Sequence, residues 1–130
     1  MNRWALLLGL CVALAGCGRG EDEIVASSVA HRFLTSVSND NGDVACSLLS
    51  RETAAALAHD EREPCEETVR GLELNAPSAE RVQVFGLSAK VDLADGLSVF
   101  LELTPEGWRV SAAGCEPVAG DQPYECEVEA

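Results

Sequence analysis

The chain has 130 residues and carries 22 acidic against 9 basic side chains, for a formal net charge of −13. That acid excess argues against nucleic acid, and against direct docking onto anionic lipid headgroups. The length suits a single domain with a modest core, and no apolar stretch is long enough for a permanent membrane span.

The N-terminus reads as a targeting segment. Arg3 puts a positive charge ahead of an apolar run from Trp4 to Ala13, and Leu14-Ala15-Gly16-Cys17 follows with small residues. This is the layout of a secretory signal over residues 1–16. At about 1.5 Å per residue the run reaches roughly 20 Å, short of a hydrocarbon core of about 30 Å. Leu14-Ala15-Gly16-Cys17 also matches the bacterial lipobox. The small residue before the cut lets an extended backbone fit the peptidase, and the Cys17 thiol is the nucleophile that is acylated. Cleavage would make Cys17 the new N-terminus and, by removing Arg3, deepen the acidic excess by one. Acyl chains bring about 0.8 kcal/mol per buried CH₂, so two or three of them anchor stably. The expected location is extracytoplasmic, with the chain held to the cell membrane by lipid.

Residues 17–23 read as the lipidated cysteine and a short Gly-Arg-Gly-acidic tether, spanning about 20 Å when extended. The domain proper then covers residues 24–130. From Asp22 to about Ser38, Val25, Val29, Phe33 and Val37 recur at i+4 beside Ala26, Ala30 and Leu34, one apolar helical stripe. Asn39-Asp40-Asn41-Gly42 breaks it, and Asp43 is placed to cap a second helix carrying Val44, Leu48 and Leu49. A third helical piece runs from Arg51 to His59. A charged loop then leads to Pro64, which suits the start of a short helix ending near Leu72.

Strand periodicity takes over from Arg81. Val82 and Val84 alternate with Arg81 and Gln83; Leu87, Ala89, Val91 and Leu93 alternate with Ser88, Lys90 and Asp92. Leu97 to Leu103, then Trp108, Val110 and Ala112, continue the scheme, and Tyr124, Cys126 and Val128 alternate with glutamates. Gly86 and Ala94-Asp95-Gly96 supply tight turns. Helices followed by a meander predict an α+β domain, with helices packed on one face of an antiparallel sheet.

Of six cysteines, Cys11 lies in the signal and Cys17 takes the lipid, leaving Cys46, Cys65, Cys115 and Cys126. An even set in an exported chain points to two disulfides with three possible connectivities. Nearness in sequence favours Cys46–Cys65 and Cys115–Cys126. Counting from Trp108, however, puts Cys115 on the outer sheet face and Cys126 on the inner one. A bulge at Gly114 or an early strand end would bring them together. No zinc site is expected, because C-x-x-C is absent and His31 and His59 lack ligand spacing.

The inward positions of the predicted sheet hold Val, Leu, Ala, Trp, Tyr and Cys, with no acid, base or amide, so a general acid or base is not evident there. His31 falls about 160° from the centre of its helix's stripe and should be solvated. Lys90, Asp92, Glu102 and Arg109 fit cross-strand pairs on the outer face. Asn39 to Asp43 reads as a turn and cap rather than a calcium loop. Asp60, Glu61, Glu63, Glu66 and Glu67 crowd around Cys65 as a solvated loop, with a docking patch for a basic partner as the sharper reading. Trp108 and Tyr124, both placed inward, are core residues or the lining of a pocket for an apolar ligand.

Ala45-Cys46-Ser47-Leu48-Leu49, Thr53, Pro64-Cys65, Gly107-Trp108-Arg109-Val110, Ala112-Ala113-Gly114-Cys115 and Pro123-Tyr124-Glu125-Cys126 resemble a group of small actinobacterial lipoproteins of unknown function. The resemblance covers nearly all of the chain after the signal. It implies an NTF2-like fold, with N-terminal helices wrapped against a curved antiparallel sheet. It brings no catalytic residues and no cofactor. The expectation is a non-catalytic envelope domain that binds a partner protein or a small apolar ligand. An isomerase- or hydrolase-type enzyme, with His31 or Asp92 in a pocket, is the alternative.

Overall fold

The computed structural model describes residues 18–120 and 123–130. Residues 1–16, read as a signal, and Cys17, the expected acylation site, lie outside the described residues.

Helix α1 spans Gly18–Ser38. It starts four residues before the expected Asp22, so the tether predicted up to Glu23 is helical from Gly18 onward. Two glycines cost about 1 kcal/mol each in a helix interior, but at the first turn the backbone N–H groups favour the carboxylates that follow. Ala26, Val29, Ala30, Phe33, Leu34 and Val37 are all buried. Val25, expected in that stripe, is 43% exposed. At 100° per residue it lies roughly 110° from the stripe's centre, beyond the reach of the sheet.

Asp40, at φ 56°, reverses the chain after α1. Helix α2 is Gly42–Leu48, and its cap is Asn41, whose Oδ1 accepts from Val44 N at 3.4 Å. Asp43, expected as the cap, sits instead inside the first turn, where its charge still complements the helix dipole. Gly42 is buried against the backbone of Glu66: a Cβ there would collide with the Glu66 carbonyl oxygen. Helix α3 covers Arg51–Glu61 and is capped by Ser50, whose Oγ accepts from Thr53 N at 3.3 Å. Helix α4, Cys65–Arg70, opens after Pro64, which takes the cap position. The Cys46–Cys65 disulfide joins α2 to α4.

Five strands follow: β1 Ala79–Phe85, β2 Ser88–Leu93, β3 Ser98–Thr104, β4 Gly107–Cys115 and β5 Val128–Glu129. They form one antiparallel sheet in the order β1-β2-β3-β4-β5. The α+β class and the meander expected from periodicity are therefore present. One sheet face buries Ala89, Val91, Leu93, Val99, Leu101, Trp108, Val110, Ala113 and Val128. Helix α1 lies along β1 to β4 and α3 meets β4 and β5, while α2 and α4 pack behind. The junction between α2 and α3 is stitched to β4: Ser50 N donates to Val110 O at 2.8 Å, and Thr53 Oγ1 to Ser111 O at 2.9 Å.

Strand β4 departs from strict alternation twice. Leu101 pairs with Val110 but Phe100 with Ala112, leaving Ser111 as an extra residue, and a second surplus precedes the Ser98–Cys115 pair. The first bulge flips the phase, so Ala113 is buried where Ala112 was expected. The second falls at Gly114, as anticipated, where φ is +64° and a Cβ would meet Leu74 Cδ2 at 2.9 Å. The second bulge cancels the phase change of the first, so Cys115 stays on the outer face, opposite Ser98, where the returning segment covers it fully and Cys126 bonds to it. The strand expected from Tyr124 to Val128 shrinks to Val128–Glu129, preceded by a lone bridge between Glu116 and Glu125.

Candidate functional site

Four half-buried charged side chains, Lys90, Asp92, Glu102 and Arg109, lie on the outer face of the sheet. Lys90 and Phe100 are partners across β2 and β3 there. The residues after β4 loop back so that Tyr124 covers them: its ring meets Phe100 edge-on at 5.1 Å, and Lys90 Nζ stands 5.0 Å from the ring centroid. Lys90 Nζ also lies 3.1 Å from Asp92 Oδ1, and Ser98 Oγ donates to the same oxygen at 2.8 Å. The expected cross-strand ion pairs are thus replaced, for Lys90 and Asp92, by an i,i+2 pair along one strand, where same-face spacing brings the two heads together.

The electrostatics of this group follow from its contacts. The Tyr124 hydroxyl raises the Lys90 ammonium above its ordinary range; burial opposes it, but with the added pull of the Asp92 carboxylate the upward effects prevail. Burial pushes the Asp92 carboxyl up, but Ser98, Lys90 and Arg81 together outweigh it and hold it below the usual carboxylate range. A lysine kept protonated and a carboxylate kept ionised are poor as base and acid near neutrality. The arrangement clamps the returning segment onto the sheet.

Trp108 and Tyr124 do not line a common pocket. Trp108 is 3% exposed on the inner face and its Nε1 donates to Asp22 Oδ1 at 3.3 Å. Tyr124 lies on the opposite face, because the segment after Cys115 folds back over the outer side instead of continuing as an inner-facing strand. An outward aromatic at Phe100, between Ser98 and Glu102, was the sequence signal that something must cover that face.

His31 is exposed, with Nε2 3.5 Å from Thr35 Oγ1. It shares an open groove along α1 with Glu23, Ile24, Ser27 and Val82. Glu23 stands eight residues away on the same helix, about 12 Å along its axis, too far for a proton relay. A second groove of 510 Å³ lies between the α2–α3 junction and the β3–β4 hairpin, with Arg51, Glu52, Glu102, Glu106 and Arg109 at its walls. Its one ion pair, Arg51 Nη2 to Glu106 Oε1 at 3.8 Å, is solvent-exposed. Arg109 Nη1 instead donates to its neighbour's carbonyl, Trp108 O, at 2.9 Å.

Around Cys65, Asp60, Glu61, Glu63 and Glu67 are exposed and Glu66 is half-buried. Among the described residues no group of three or more His, Cys, Asp or Glu side chains is placed to hold a metal ion. The fully or nearly buried polar side chains among them are Ser36, Ser50, Thr53 and Ser98, all hydroxyls spent on internal hydrogen bonds. No protein family, curated protein or solved structure matches the chain.

Proposed function

We propose that the chain is an extracytoplasmic lipoprotein, anchored by acyl chains on Cys17, whose NTF2-like domain is a non-catalytic binding or accessory module of the cell envelope. The observation that carries this reading is Leu14-Ala15-Gly16-Cys17 closing a short apolar run. The two disulfides support it, since such bonds persist in oxidising compartments. An inner face packed with aliphatic side chains and Trp108 favours a protein partner over an apolar ligand held between helices and sheet. The isomerase- or hydrolase-type reading draws no support from His31, which is exposed, or from Asp92, which is tied to Lys90 and Ser98.

Feeding cells an alkyne-tagged palmitate and isolating the mature chain tests the anchor. The reading expects label on a protein whose N-terminal residue is Cys17. An unlabelled chain, or one cut elsewhere, would refute it. Crosslinking in intact cells should then recover a discrete envelope partner.

A further inference from the structure

Helix α1 is formed from Gly18, the residue that follows Cys17 in the sequence. One turn on, Asp22 accepts the hydrogen bond from Trp108 at the start of β4. Trp108 pairs with Leu103 across the sheet, and Leu103 N donates to Leu87 O at 2.8 Å. The start of α1, the β1–β2 turn and the end of β3 therefore form one end of the domain.

The large exposed apolar side chains among the described residues all gather at this end. Phe85 is 61% exposed, Leu87 68% and Leu103 37%, and on α1, level with Asp22, Ile24 is 72% and Val25 43%. Scattered exposed apolar residues are ordinary; five of them confined to one end set that end apart from the rest of the surface. The opposite end has another chemistry. Gly42, four residues past the end of α1, abuts the Glu66 backbone, so the acidic segment Asp60 to Glu67 sits at the far end of a helix of 21 residues.

We infer that this apolar end rests on the lipid bilayer, with Phe85, Leu87, Leu103, Ile24 and Val25 in its interfacial layer. The inference rests on acylation of Cys17, which would hold this end, and no other, at the membrane. The acyl chains supply the attachment and the rim sets the orientation, turning the acidic segment outward to the envelope space. Glu21, Asp22 and Glu23 on the first turns of α1 make anionic headgroups a poor match, so the contact is with the acyl boundary rather than with lipid charge.

The test uses the full, processed chain reconstituted in phosphatidylcholine vesicles whose acyl chains carry bromine, a contact quencher of indole. Leu87→Trp, or Phe85→Trp should the first fold poorly, reports the rim; Glu63→Trp reports the far end. The expected result is strong quenching of the rim indole and none of the far one. Equal quenching at both ends overturns the inference, as does an acylated chain whose rim indole is unquenched and whose subunits crosslink through Leu87, since the rim would then be a contact between copies. A chain that mass spectrometry shows without acyl groups brings down the anchor reading and the inference together, whereas an acylated chain with a dry rim brings down the inference alone.

Discussion

The two ends of the domain are built by different means. At the far end the Cys46–Cys65 bond ties α2 to α4, Asn41 caps α2, and Gly42 lets two backbones touch. At the near end no disulfide lies among the described residues; the helix start is held to the sheet by the hydrogen bond from Trp108 to Asp22, and large apolar side chains stay in the open. One end spends its residues on rigidity, while the other leaves surface uncovered that its own fold does not need. Rigid packing and uncovered apolar surface are thereby separated along α1, which spans between them.

Breaking the far end should have the largest effect. Replacing Cys46 and Cys65 together by serine opens a loop with a sequence separation of 19. The loss in unfolding free energy, read by urea titration, should be about 3 kcal/mol on chain-entropy grounds. A loss near zero would mean the staple adds nothing to the packing of α2 on α4. Gly42→Ala should cost about 2 kcal/mol, because the added methyl group meets a backbone carbonyl that cannot rotate away. Unchanged stability of that variant would show that α4 can retreat freely.

Changes at the near end should matter less to folding. Asp22→Ala strands the buried Trp108 indole N–H, for a loss of roughly 1–2 kcal/mol and a shift in Trp108 emission. Leu87→Ser comes last: at 68% exposed, it should leave the urea midpoint within about 0.5 kcal/mol of the parent. A large loss there would mean that the rim is core after all, and the contrast between the ends would collapse.

Much of the sheet was legible because alternation is a strict signal: Ala89, Val91, Leu93, Val99 and Leu101 are inward as expected. Counting failed in β4, where the extra residue at Ser111 changed the phase and no turn residue announced it. Tyr124 was misplaced for a related reason, since alternation with glutamate looks the same in a strand and in a segment folded over the outer face. The start of α1 was hidden by Gly18 and Gly20, whose composition reads as a tether although the acidic residues after them favour a helix. The apolar rim was missed because Val25 and Leu87 keep the period of a core stripe; periodicity says which way a side chain points, not whether anything covers it. Phe85 was the available clue. It shares the parity of Arg81 and Gln83, an aromatic on a polar face.

The proposed orientation of the domain depends on attachment at Cys17, and fractionation of cells expressing the parent chain and Cys17→Ala tests that attachment most directly. The parent should sediment with membranes and be released by detergent but not by high salt, whereas the variant should leave the membrane fraction or accumulate uncleaved. A variant that is cut and still partitions with membranes as the parent does would contradict a lipid anchor on this residue.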